Sequence, residues 1–144
     1  MADTSKGFRY RGRMYGDSSN PTIHDVLAAD TATYYKGDVV NLESGEADPA
    51  VTTDANLLGV VAETIAATAS TTRVKVIVDA DALYGVYDAN ARVEGATLDI
   101  AGSANAYTIG ASANKELVVF ADSPADKETV VRFNVGKHVG NKAQ

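Results

Sequence analysis

The 144-residue chain has no cysteine, two histidines, three prolines and no long apolar run. Without cysteine there can be no disulfide and no thiolate metal site. Neither His24 nor His138 has a second histidine or a cysteine at metal-ligand spacing, and both read as surface or capping residues. No apolar stretch approaches the ~20 residues that a membrane-spanning helix needs. The first residues lack the apolar core of a signal peptide. These absences lead us to expect a soluble protein made in the cytoplasm, with no membrane contact.

Motifs of catalysis are equally scarce. No serine lies in a G-x-S-x-G elbow. Neither a phosphate-cradling G-x-x-x-x-G-K-[ST] nor a G-x-G-x-x-G occurs, and "VGKHVGNK" has the wrong spacing. Asp79 and Asp81 stand two apart in "DADA", with Asp88 close in sequence. They could hold Ca²⁺, but the glycine and final glutamate of the EF-hand pattern are missing. Solvated acids at a strand end are the plainer reading. Asp38, after Gly37, reads as a turn residue. Glu43, Glu46, Asp48 and Asp54 crowd one polar stretch. We expect no enzyme, no cofactor and no metal.

Alanine is plentiful. It accounts for much of the 45% apolar content, at 24 residues against 7 leucines. In "TIAATASTT" and "GSANAYTIGASAN" it lies among Thr, Ser, Gly and Asn, which favour turns and strands over helices. Charge is unevenly spread: residues 1–15 carry +3, residues 16–126 carry -12 and residues 127–144 carry +3. An acidic body of this kind repels nucleic acid, and we expect no direct contact with it. The basic ends suit engagement with something else.

The first end is "GFRYRGRMYG", residues 7–16. Phe8, Tyr10, Gly12 and Met14 share one parity; Arg9, Arg11, Arg13 and Tyr15 share the other. A period of two is the mark of a strand. Three glycines weaken a lone strand, so residues 1–20 read as an extended arm that orders when something lies beside it. One reading is an ordinary edge strand whose polar face snorkels. Another is a protein-binding arm, because Arg and Tyr dominate interface hot spots.

Asn20 and Pro21 read as a helix cap and first helical residue, with Ile23, Val26 and Leu27 at helical spacing. One short helix or a single turn is therefore expected there. Beyond Tyr34 the pattern turns to strands. In "YKGDVVNL" a turn precedes a strand, and "ESGEADPAVTTDAN" is a polar loop. "LLGVVAET" is a strand with Gly59 at a bulge. "TTRVKVIVDADALYGVYD" is the strongest strand signal, with Val74, Val76 and Val78 on one face. "ATLDIAG" and "NAYTIGA" form a pair around Gly102. "KELVVFAD" is another strand, and "ETVVRFNV" closes the body with Val131, Phe133 and Val135 inward.

Short strands between turns predict a single mainly-β domain, a barrel or sandwich, over residues 21–135. Residues 1–20 precede it as the arm, and residues 136–144 follow as a basic tail.

The order of these pieces resembles the capsid decoration, or cement, proteins of tailed bacteriophages. The likeness lies in the arm "GFRYRGRMYG", then "YKGDVVNL", "LLGVVAE", "RVKVIVDADALYGVY" and "GATLDIAG". It implies a β-tulip-like domain on the outside of the virion. The partners would be the major capsid protein and neighbouring decoration subunits, commonly in a homotrimer at threefold or quasi-threefold positions. It implies a structural role without covalent chemistry. Phe8, Arg9, Tyr10, Arg11, Arg13, Met14 and Tyr15 would form the anchor, arginines to partner carboxylates and apolar side chains to pockets. The alternative is a β-sandwich carbohydrate-binding or adhesin-like module. It would need an aromatic platform, with Tyr84, Tyr87 and Tyr107 as candidates, although Tyr84 and Tyr87 have opposite parity.

Overall fold

The structure is a computed structural model. It describes residues 7–13, 21–29, 31–50, 56–68, 72–79, 81–88, 92–101, 107–110, 115–123 and 128–134. Every regular element among these is a β-strand. In chain order they begin with β1 (Arg9–Arg13), β2 (Ile23–Leu27), β3 (Thr33–Tyr34), β4 (Val39–Glu43) and β5 (Glu46–Pro49). Next come β6 (Leu57–Val61), β7 (Ile65–Ala66), β8 (Arg73–Ile77), β9 (Ala82–Tyr87) and β10 (Thr97–Leu98). The last are β11 (Ile100–Ala101), β12 (Thr108–Ile109), β13 (Leu117–Ser123) and β14 (Glu128–Phe133).

Two antiparallel five-stranded sheets dominate, in the orders β1-β9-β14-β13-β10 and β2-β8-β6-β4-β5. Between them lies one apolar core. Tyr84, Val131 and Phe133 enter it from the first sheet, Val39, Val60 and Ile77 from the second. A second core covers the opposite face of the second sheet, with Val40, Val74, Val76 and Tyr34. The mainly-β expectation holds, as a sandwich of antiparallel sheets. A single parallel bridge, Ala28 to Ala47, joins the ends of the second sheet, which curls around its core short of a closed barrel.

The two cores explain why "LLGVV" does not alternate. Strand β6 is buried on both faces: Leu57 and Val60 enter one core, Leu58 and Val61 the other. A continuous apolar run is what such a strand requires. Gly59 does stand at an irregularity, because Val40 pairs with Gly59 and Asn41 already with Leu57. A Cβ on Gly59 would lie 1.7 Å from the Ile77 carbonyl oxygen, so only glycine fits there.

Three local expectations are corrected. The expected helix after Pro21 is instead β2, paired along its length with β8 from Ile23–Ile77 to Leu27–Arg73. A single helical turn carries the full cost of nucleation, whereas a strand laid on β8 completes a ladder. The expected polar loop after Glu43 is a hairpin. Ser44 and Gly45, at φ 52° and 79°, turn the chain straight into β5. Two successive positive φ values match the twist of antiparallel strands. The long signal over 71–88 is two strands, β8 and β9, in different sheets. The expected pair around Gly102 is present as β11 and β12, joined through Ile100–Ile109. Residues 136–144, the expected tail, lie outside the described residues.

Candidate partner-binding surface along the first strand

Residues 9–13 are extended, as their alternation predicts, but what lies beside them is β9 of the same chain. The expectation of an arm that takes shape only against a partner is thus corrected for residues 7–13. Phe8, 2% exposed, is a core residue and not a plug for a partner's pocket. Its ring meets Tyr84 edge-on at 6.1 Å, and Tyr10 meets the same ring at 6.4 Å. Contacts of this kind each contribute ~0.5–1.5 kcal/mol beyond area burial.

The glycines of the strip have specific roles. Gly7, at φ 86°, passes so close to Gly37 that a Cβ would lie 2.8 Å from the Gly37 carbonyl oxygen. That approach lets the Phe8 amide donate to Gly37 O at 2.9 Å and the Gly7 amide to Tyr107 O at 3.2 Å. The strip is thus tied to the turn before β4 and to the residue just ahead of β12 before β1 begins. Within β1, Tyr10 pairs with Tyr84 and Gly12 with Leu83, which leaves Arg11 as an extra, bulged residue.

Arg9 and Arg11 keep the outward parity expected of them. Both donate to the Glu128 carboxylate on β14. Burial alone would raise the Glu128 carboxyl. Hydrogen bonds from Arg11 and Arg9, and then their charges, outweigh it and hold the group below its ordinary value. The carboxylate expected on a partner is therefore supplied, for these two arginines, by the chain itself. The side chain of Arg13, and Met14 and Tyr15 entirely, lie outside the described residues.

One edge of β1 pairs with β9; among the described residues no strand lies on the other. Along that free edge runs a groove of about 580 Å³. Four consecutive residues, Phe8 to Arg11, line it, so the strand's edge and not one of its faces forms the wall. The opposite wall includes Pro21 and Ile23, at the start of β2, which is the edge strand of the other sheet. Its apolar lining includes Val60 and Ile77, and its cations are Arg9, Arg11 and Lys36. Glu128, Gly85 and this groove were missed in the sequence. The outward parity of Glu128 on β14 was the signal that could have matched it to the arginines.

The other candidates are dispersed. Tyr84 and Tyr107 are core residues, 0% and 3% exposed, so they form no aromatic platform with Tyr87. Asp79 accepts from the Thr22 amide at 2.7 Å and thereby fixes the start of β2. Asp81 joins it near Tyr84, but no group of three metal-ligating side chains forms among the described residues. Asp88 pairs with Arg92 at 2.6 Å. Asp38 accepts from the Tyr35 amide at 3.0 Å, the turn role expected of it. Glu43 and Glu46 face each other across the β4–β5 hairpin. His24 is exposed on β2, and His138 lies outside the described residues. No family model, curated protein or solved structure matches the chain.

Proposed function

We propose that this protein is a capsid decoration protein of a tailed bacteriophage. It binds the outside of the mature shell, stabilises it mechanically and performs no covalent chemistry. Its partners are the major capsid protein and its own neighbours, in a homotrimer at threefold or quasi-threefold positions.

The observation that carries this reading is the state of β1. An arginine-bearing strand is held on its own sheet, and among the described residues no strand covers its other edge, beside which a groove lies. A surface fixed in advance binds without the entropic cost of ordering a loose arm. Three such surfaces on one trimer reinforce one another, because the second and third attachments are effectively intramolecular. The carbohydrate-binding alternative loses its support, since Tyr84 and Tyr107 are core residues.

The test is co-sedimentation with expanded shells assembled from the major capsid protein of the phage that carries this chain. Saturable binding, with light scattering that gives a trimer, is the expected result. Failure to sediment with the shells at any protein concentration overturns the proposal.

A further inference from the structure

We infer that the β4–β5 hairpin binds a calcium ion, with Asn41 and Asp48 as its central ligands and Glu43 and Glu46 closing the site. The inference is independent of the decoration reading and uses nothing of the surface along β1.

It begins from a buried oxygen. Asn41 is 6% exposed on β4, yet among the described residues its side-chain oxygen has no hydrogen-bond partner. A buried acceptor in that state destabilises the fold, and a bound water or ion is what relieves it. Asparagine is also poorly suited to a strand interior. Its neighbours Val39 and Val40 are fully buried, so packing alone favours an apolar side chain here.

The register then brings acids to the same place. Asn41 pairs with Asp48 across the hairpin, and Glu43 pairs with Glu46. Side chains two apart on a strand share a face, so all four lie on one side of the ribbon. Val39 and Ala50 continue that face into the first core. Val40, Leu42 and Ala47 take the opposite face, against the second core. The polar groups therefore run outward from a core margin, from buried Asn41 through half-buried Asp48 and Glu46 to exposed Glu43. Directly opposed side chains stand about 4.5–5.5 Å apart at Cβ. An ion ~2.4 Å from each oxygen can bridge Asn41 and Asp48 at that spacing.

Charge points the same way. Residues 41–50 contain three acids and no base. Glu43 faces Glu46 directly, and like charges so placed repel unless a cation lies near them. Asp48 has a further interaction of its own, but a carboxylate accepts at several positions and can serve both.

The donor set selects the ion. One amide carbonyl and three carboxylates are hard oxygen ligands, which suit calcium or magnesium over softer metals. Among the described residues the carboxylates do not by themselves form a closed cage. The two rim glutamates turn inward when the ion arrives, and water completes its shell. A site that adjusts in this way fits the flexible shell of calcium better than the strict octahedron of magnesium. Its affinity should be that of a loose site, roughly 10⁻⁴–10⁻³ M.

The experiment uses the full chain and the metal alone. Urea unfolding is followed at rising CaCl₂, and again with MgCl₂ and NaCl at matched ionic strength. Calcium should raise the midpoint saturably, because it binds the folded hairpin and not the unfolded chain. Calorimetric titration should give one site. Asp48→Asn should weaken binding about tenfold. Asn41→Leu should abolish the calcium response. Glu43 and Glu46 lie at the rim, so Glu43→Gln with Glu46→Gln keeps the fold and should still weaken binding several-fold.

No saturable effect of calcium up to about 10 mM, ten times the weakest affinity expected, would overturn the inference and leave a water as the partner of Asn41. An equal effect of magnesium, or of sodium chloride at the same ionic strength, would also overturn it. So would calcium binding that survives both Asp48→Asn and the double glutamine variant. Shells take no part in these readouts, so the decoration reading stands or falls separately.

Discussion

The Glu128 carboxylate rests over Gly85: a Cβ there would lie 2.6 Å from Oε2 and 2.9 Å from Arg11 Nε. Gly85 is the residue of β9 paired with Arg9 on one side and Val130 on the other. Its missing side chain leaves a shallow on the outer face of the first sheet. Two guanidinium groups and one carboxylate fill it. This explains part of why an acidic protein has a basic strip near its N-terminus. The strip meets an acid from β14, over a hundred residues away, and the pair straps β1 to its own sheet.

Replacing Gly85→Val should loosen that strap without unfolding the body. The atoms in the way are the ends of flexible side chains, so they move aside and the salt bridge is broken. Surface pairs are worth only ~0–1 kcal/mol, and loss of glycine's unfolded-state freedom offsets some of that. Global stability should therefore change by no more than about 1 kcal/mol. Amide hydrogen exchange should quicken across residues 9–13 while β13 keeps its protection. Unchanged exchange in β1 would show that Glu128 does not hold it.

The same carboxylate makes stability depend on pH in a defined direction. Its folded value lies below the ordinary one. Its contribution is therefore fully present above the unfolded carboxylate value, about 4.3, and is lost as pH falls through the lower folded value. Glu128→Gln should be less stable than the native protein at neutral pH. The difference should shrink as pH drops below about 4. Urea midpoints measured for both proteins across pH check this. A gap that stays constant with pH would mean the carboxylate charge is not what matters.

Phe8 ties the fate of the strip to the core. Its burial beside Tyr84 predicts that Phe8→Ala costs about 3 kcal/mol, the usual loss for a buried phenylalanine. Removing residues 1–15 should cost at least as much, because it also strips β1 from the sheet. Denaturant unfolding of both variants decides the matter. A truncated protein as stable as the parent would show that the strip is an appendage and not part of the body.

Much of this fold was legible because period-two patterning survives wherever one sheet face is buried. Val74 and Val76 faced the core, as did Val131 and Phe133, and the Gly59 irregularity followed from a glycine inside an apolar run. The misreadings share a cause. Ile23, Val26 and Leu27 fit a helical stripe as well as a strand, and only the presence of β8 decides between them. The β8–β9 stretch is uniformly strand-like, and the break after Ile77 depends on tertiary contacts, one of them between Asp79 and Thr22. Of the candidate site, the residue types and their parity could be read. Their partner could not, because no local pattern links Arg9 and Arg11 to a glutamate so distant in sequence.

Tyr84 offers a test of the core itself. Its ring is fully buried among Phe8, Tyr10 and Phe133, yet its hydroxyl has no hydrogen-bond partner among the described residues. Burial, with the charge of Asp79 and then of Tyr10 and Asp81, pushes the phenol well above the ordinary tyrosine range, so it stays protonated. A buried hydroxyl left without a partner costs ~1–3 kcal/mol. Tyr84→Phe keeps the ring contacts and removes that cost, so it should raise stability by about 1 kcal/mol. The urea midpoint should rise with an unchanged slope. A fall of similar size would show that the hydroxyl is hydrogen-bonded in solution, and the first core would then contain a polar contact at its centre.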